Sequence, residues 1–318
     1  MPAPSDPLII LDGGLSNALE DRGHDLSDAL WSARLLRDDP AEVAAVHRAY
    51  YEAGAMVATT ASYQASVPGF ERAGVSRTEA ERLITNSVRI ARQVRDQFDA
   101  DHPIPPPSRP LPTAPTNQPR AAGAGGGRLV AASVGPYGAV LADGSEYRGR
   151  YGVSRRVLRD FHGPRLELLA SAGPDLLAVE TIPDADEAEV LVELLAELDL
   201  PAWFSYSIEG TQTRAGQPLA AAFAIPAAIN QVIAVGINCC NPEDVLPAVR
   251  TAVATTAKPA VAYPNRGETW DPVTRTWVGH GAGPAEFARD WTEAGATYVG
   301  GCCRVGPNDI RSLAARVA

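Results

Sequence analysis

What the chain lacks narrows it first. No apolar run approaches the roughly 18 residues that a membrane-spanning helix needs. The opening Met1-Pro2-Ala3-Pro4-Ser5-Asp6-Pro7 has neither a basic start nor an apolar stretch, so no secretory signal is read and a cytoplasmic location is expected. Positive charge is in deficit: 28 Lys and Arg stand against 38 Asp and Glu, a formal net charge of -10. Phosphate neutralisation needs clustered Lys and Arg, so nucleic acid is not an expected partner, and neither is a membrane. Histidine is sparse. His24, His47, His102, His162 and His280 are scattered, with no His-Glu-x-x-His metal helix and no Gly-x-Ser-x-Gly nucleophile turn. His47 and His162 fall in helical patterns and read as surface or helix-packing residues. Hydrolysis and proton abstraction lose ground accordingly. The chain has only four cysteines, and in a reducing compartment disulfides are not expected of them.

What is present is a soluble globular composition, 45% hydrophobic and 21% charged over 318 residues. Short apolar runs alternate with helical patterns throughout, which argues for βα units and a parallel sheet. Eight strands are read, at Leu8–Asp12, Met56–Ala61, Leu129–Val134, Leu176–Glu180, Ala202–Ser207, Val232–Asn238, Ala260–Tyr263 and Thr297–Gly301. Helices are read near Pro40–Ala53, Arg77–Phe98, Ser154–Ala172, Asp184–Leu198, Pro218–Asn230, Pro242–Thr255, Pro284–Ala294 and Asn308–Val317. Eight such units make an α/β fold of the (β/α)8 TIM-barrel type, one domain over 1–318. The stretch 101–128, with eight prolines followed by Gly123, Gly125, Gly126 and Gly127, reads as a flexible loop insert between helix 2 and strand 3. On a barrel that connection opens on the N-terminal face, away from the usual active site. No strand precedes its glycines, so a phosphate cradle is not read there.

Chemistry-bearing residues collect at strand ends. Asp12-Gly13-Gly14 follows the first strand, Ser62-Tyr63-Gln64 the second, Gly135-Pro136-Tyr137 the third, and Glu180-Thr181 ends the fourth. Asn238-Cys239-Cys240 ends the sixth, Tyr263-Pro264-Asn265 the seventh and Cys302-Cys303 the eighth. Alone, each is an ordinary turn or a buried thiol. Together they occupy one face of one barrel. Zinc takes four ligands, and a catalytic site leaves one position open, so three cysteines fit a catalytic zinc and four a closed structural one. Neighbouring residues on a strand point to opposite faces, so Cys239 and Cys240 should not both reach one metal. Pattern alone does not choose between them.

The motifs Leu11-Asp12-Gly13-Gly14, Thr60-Ala61-Ser62-Tyr63-Gln64-Ala65, Ser133-Val134-Gly135-Pro136-Tyr137-Gly138-Ala139, Leu141-Ala142-Asp143-Gly144-Ser145-Glu146-Tyr147, Gly236-Ile237-Asn238-Cys239, Tyr263-Pro264-Asn265 and Gly300-Gly301-Cys302-Cys303 carry a resemblance. Over nearly the whole chain outside the insert it resembles the zinc-dependent homocysteine S-methyltransferases, in particular the stand-alone enzymes that use S-methylmethionine. The resemblance implies zinc on Cys239, Cys302 and Cys303, with Cys240 a bystander. It also implies Asp12 and Glu180 near the amino group of homocysteine, the Gly13–Gly14 backbone near its carboxylate, and Asn238 among the substrate-binding residues. Tyr63 and Tyr137 are read as faces for a positive sulfur through cation–π contact. A free thiol has a pKa of about 8.5 and loses its proton on binding zinc, so no general base is required. The leaving group is a neutral thioether, so no acid is required either. The implied product is methionine. The alternatives are S-adenosylmethionine or betaine as donor, and a zinc-thiolate protein that binds homocysteine without turnover. Cobalamin and folate donors need further domains, for which the chain has no residues. Oligomeric state is not written in the sequence.

Overall fold

The structure, a computed structural model, describes residues 8–26, 30, 32–103, 127–271, 276–279 and 281–317. The strands are β1 (Ile9–Ile10), β2 (Val57–Thr59), β3 (Leu129–Val134), β4 (Leu176–Ile182), β5 (Ala202–Tyr206), β6 (Val232–Asn238), β7 (Ala260–Tyr263) and β8 (Ala296–Val299). All pair in parallel, in the order β1-β8-β7-β6-β5-β4-β3-β2. A bridge from Leu11 to Val57 and the Met56 N–H on Ile10 O at 2.7 Å join the two ends of that row, giving a (β/α)8 barrel. The enclosing helices are α1 (Pro40–Glu52), α2 (Arg77–Asp101), α3 (Arg155–Ser171), α4 (Ala185–Ala196), α5 (Leu219–Ala227), α6 (Pro242–Thr256), α7 (Ala288–Glu293) and α8 (Pro307–Val317). Asp39, Ser76, Ser154, Asp184 and Asn241 cap α1, α2, α3, α4 and α6 by accepting a backbone N–H. Each such cap stabilises its helix by about 1 kcal/mol.

The period of two along each strand sets which residues enter the barrel. Leu177 and Val179 of β4 face the helices, while Leu176 and Ala178 fill the interior with Ile9, Leu11, Trp203, Ala234, Val261 and Tyr298. Two residues after Ala178, Glu180 continues the inner row and emerges at the top. The same step brings Ser133 of β3, Ser205 of β5 and Asn238 of β6 to that level. An apolar barrel floor with a polar upper layer is thus encoded strand by strand.

Differences from the sequence reading lie in the connections. Helices at Leu15–Glu20 and Ser32–Asp38 fill the link between β1 and α1, and hairpins form at Ile208–Glu209 with Gln212–Thr213 and at Thr269–Asp271 with Thr276–Val278. The expected helix over Pro284–Ala294 is a 3-10 turn, Pro284–Glu286, followed by the short α7. Residues 104–126 of the insert and His280 lie outside the described residues. The ends of the insert do not: the Arg128 guanidinium binds Asp99 at 2.6 Å and lies 4.4 Å from the Phe98 ring, at the N-terminal end of β3. Among the described residues no helix is long and apolar enough to cross a membrane.

Candidate active site

Three sulfurs converge at the top of the barrel. Cys239 Sγ lies 3.7 Å from Cys303 Sγ, Cys302 and Cys303 Sγ are 4.0 Å apart, and all three fall within 4.8 Å of one another. They are free thiols. Backbone geometry separates Cys239 from Cys240. The strand stops at Asn238, Cys239 takes a left-handed φ of 51°, and its side chain swings to the metal-competent trio. Cys240 turns into the apolar layer between strands and helices, where burial pushes its thiol up. Hydrogen bonds from Cys302 and Cys303 hold the Cys239 thiol well below its usual range and raise their own.

The loop bearing Cys302 and Cys303 is clamped from three sides. Pro264 O accepts the Cys302 N–H at 2.8 Å, Asn265 Oδ1 the Cys303 N–H at 3.1 Å, and Asn17 Oδ1 the Arg304 N–H at 2.8 Å. A Cβ at Gly301 would stand 2.1 Å from Val305 Cγ1, so only glycine lets the chain turn there.

Beside the sulfurs a cavity of about 130 Å³ is lined by Asp12, Gly13, Gly14, Tyr63, Tyr147 and Glu180, with Thr59, Thr60, Ser133, Thr181 and Tyr263 among the rest. Asp12 accepts the Thr59 N–H at 2.6 Å and its hydroxyl at 2.8 Å. Glu180 accepts the Ser133 hydroxyl. Burial pushes both carboxyls up to about 7, and Glu180 raises Asp12 further by repulsion. Arg165 lowers Glu180 only weakly and from a distance, so among the described residues neither acid has an ion-pair partner, and an ammonium group would supply one. Gly14 spends its N–H on Val305 O at 2.9 Å.

The homocysteine S-methyltransferase profile matches residues 9–317. The chain belongs to the homocysteine S-methyltransferase family. It is 42% identical to the homocysteine S-methyltransferase of Escherichia coli strain K12, over 97% of this chain and 95% of that one. It is also 42% identical to the homocysteine S-methyltransferase YbgG of Bacillus subtilis strain 168, over 97% and 94%. The crystal structure of the E. coli homocysteine methyltransferase MmuM in its metallated form superposes with a TM-score of 0.82 at 40% identity, covering 98% of this chain and 96% of that one.

Within this family fold two expected substrate residues stand away from the cavity. Tyr137 begins a short helix, Tyr137–Leu141, and its ring packs against Tyr151 and Phe161. Asn238 reaches the level of Glu180 but is fully buried and outside the cavity lining, its amide bound to Thr181 N and Oγ1 at 2.7 Å each and to Ser205 Oγ at 2.8 Å. It fixes Thr181, whose left-handed φ of 61° ends the Glu180 row. His47 and His162 are both fully buried, so packing describes them and surface does not. His162 pairs with Glu187 at 2.8 Å, outside the cavity lining. Arg165 was not anticipated. Buried in α3, it donates to Gly135 O, Ser62 O and Tyr63 O at 2.8, 2.7 and 2.5 Å, tying together the loops after β2 and β3. An arginine on the apolar face of a helix was its only signal in the sequence.

Proposed function

We propose that the protein methylates homocysteine from S-methylmethionine, with zinc on Cys239, Cys302 and Cys303, and that Asp12 and Glu180 receive the amino group of homocysteine. The observation that carries this is the sulfur spacing. Sulfurs bound at about 2.3 Å in a tetrahedron stand about 3.8 Å apart, against 3.7 and 4.0 Å here. The donor set is thiolate only and leaves a fourth position toward the cavity, which suits zinc. Zinc there would act as a Lewis acid that frees the homocysteine thiol of its proton near neutral pH.

The chain's own residues supply the rest. Asp12 and Glu180 orient the amino acid so that its sulfur meets the three cysteines, and the apolar ring of Tyr63 bounds the space a sulfonium must enter. One sulfur–methyl bond of the donor breaks and one forms on homocysteine. The electron pair stays on the departing thioether, and the thiol proton goes to solvent. Both products are methionine. The metallated state of the E. coli relative and the family match support this reading.

The test is methionine formation by purified protein with homocysteine and each of S-methylmethionine, S-adenosylmethionine and betaine. Turnover is expected with S-methylmethionine. Binding of homocysteine without methionine from any donor would leave the non-catalytic reading in its place. The ligand assignment is tested separately by metal analysis. Substituting Cys239, Cys302 or Cys303 by Ala should remove the zinc, while Cys240→Ala should keep about one ion per chain. Equal loss from Cys239→Ala and Cys240→Ala would overturn the assignment.

A further inference from the structure

The segment from Tyr137 to Tyr151 leaves the barrel after β3 and returns over the cavity. At its far end Tyr147 Oη lies 3.4 Å from Cys239 Sγ. Its path is fixed from below by one buried carboxylate. Glu187 of α4 accepts the Tyr137 N–H at 2.6 Å and the Tyr151 hydroxyl at 3.0 Å, and meets His162 Nε2 at 2.8 Å. Glu187 is 1% exposed and His162 is 0% exposed. Three bonds on one carboxylate, away from solvent, form a clasp at both ends of the segment. The Asp184 carboxylate adds a fourth tie at 2.7 Å from the Arg150 N–H. The Arg214 guanidinium lies over the Tyr147 ring, 5.9 Å from its centre.

We infer that Tyr147, held by the Glu187 clasp, donates its phenolic proton to the Cys239 sulfur and is a positioning residue of the metal centre. This rests on the zinc reading above. A metal-bound cysteine is a thiolate with no proton to give, so at 3.4 Å the O–H must be the donor. A hydrogen bond of this kind orients the ligand and withdraws electron density from its sulfur. Removing an outer partner of a metal ligand typically weakens metal binding about 10–100-fold.

The test uses full-length protein loaded with zinc or with cobalt(II). Competition against a chromophoric chelator should show Tyr147→Phe binding zinc about 10–100-fold more weakly than wild type. In the cobalt form its thiolate-to-metal charge-transfer band should move to lower energy, because the sulfur lone pairs lose their hydrogen bond. Tyr151→Phe, distant from the metal and lacking one bond of the clasp, should move both readouts in the same direction by less. Cys240→Ala, which removes a buried sulfur beside the site but no partner of Cys239, should move neither. Unchanged zinc affinity and an unchanged band in Tyr147→Phe would overturn the inference. So would a thermal melt showing that weaker zinc binding in both tyrosine variants follows general unfolding, with the cobalt band unshifted in the folded fraction. If wild type itself bound neither ion, the zinc reading would fall, a different outcome from either.

Discussion

Asp12 and Glu180 are held by hydroxyl and amide donors, and among the described residues neither has an ion-pair partner. Their carboxyls keep protons up to about 7, against ordinary values of 3.8 and 4.5. The folded protein without substrate therefore binds more protons than the unfolded chain between roughly pH 4 and 7, and stability from these two groups falls as pH rises through that window. A bound ammonium reverses the balance, because it favours the charged carboxylates. Affinity for an amino acid should then increase from pH 6 to pH 8. Norvaline, which has the carbon frame of homocysteine with a methyl in place of the thiol, isolates this effect from metal chemistry. Its inhibition constant should fall across that range, and the fall should flatten in Asp12→Asn and Glu180→Gln. Those variants should also raise the homocysteine KM about tenfold or more while keeping their zinc, since charge-assisted hydrogen bonds are worth roughly 1.5–3 kcal/mol. A norvaline constant independent of pH would place the ammonium elsewhere.

The loop after β8 shows how a connection controls a site. Asn265, at the end of β7, spends its own N–H on Cys240 O at 3.0 Å and its side-chain oxygen on the Cys303 N–H. One residue thus links the bystander cysteine to a metal-competent one. Asn265→Ala leaves that N–H without its partner and frees Cys303 to drift. Zinc should be held about 10–100-fold more weakly by chelator competition, with the melting temperature of the metal-free protein lowered only slightly. Retention of full zinc affinity would show that Pro264 O and Asn17 suffice to hold the loop. The sequence signalled the strands and not this clamp. Buried parallel strands announce themselves as apolar runs, so all eight were readable to within a few residues. Where a connection travels is not encoded in local spacing. Tyr137 comes soon after β3, where spacing suggests a cavity residue, yet its helix packs it against Tyr151. Tyr147, ten residues further on, returns to Cys239. Glu187 is equally hidden, because it is one of four acids in α4 and nothing local sets it apart until its partners arrive from the Tyr137–Tyr151 segment and α3.

At the scale of the whole molecule the barrel separates its two ends. The sulfurs, Asp12, Glu180 and Tyr147 all meet at the C-terminal ends of the strands. The chain between α2 and β3 starts and finishes at the opposite end, where Arg128 grips Asp99 and Phe98. β3 runs from Leu129 to Val134, about 20 Å at roughly 3.3 Å per residue. Replacing residues 104–126 by about eight Gly and Ser residues should therefore leave methyl transfer and zinc content nearly unchanged. Loop length enters stability weakly, about 0.6 kcal/mol for each doubling, so the melting temperature should shift little. Arg128→Ala gives the contrast, since it removes both the ion pair and the cation–π contact that pin the stem. It should lower the melting temperature while leaving the homocysteine KM in place. A shortened chain that folds and keeps its zinc but loses most of its turnover would mean that this segment reaches a neighbouring subunit's site or the donor. The independence of the two barrel ends would then fail.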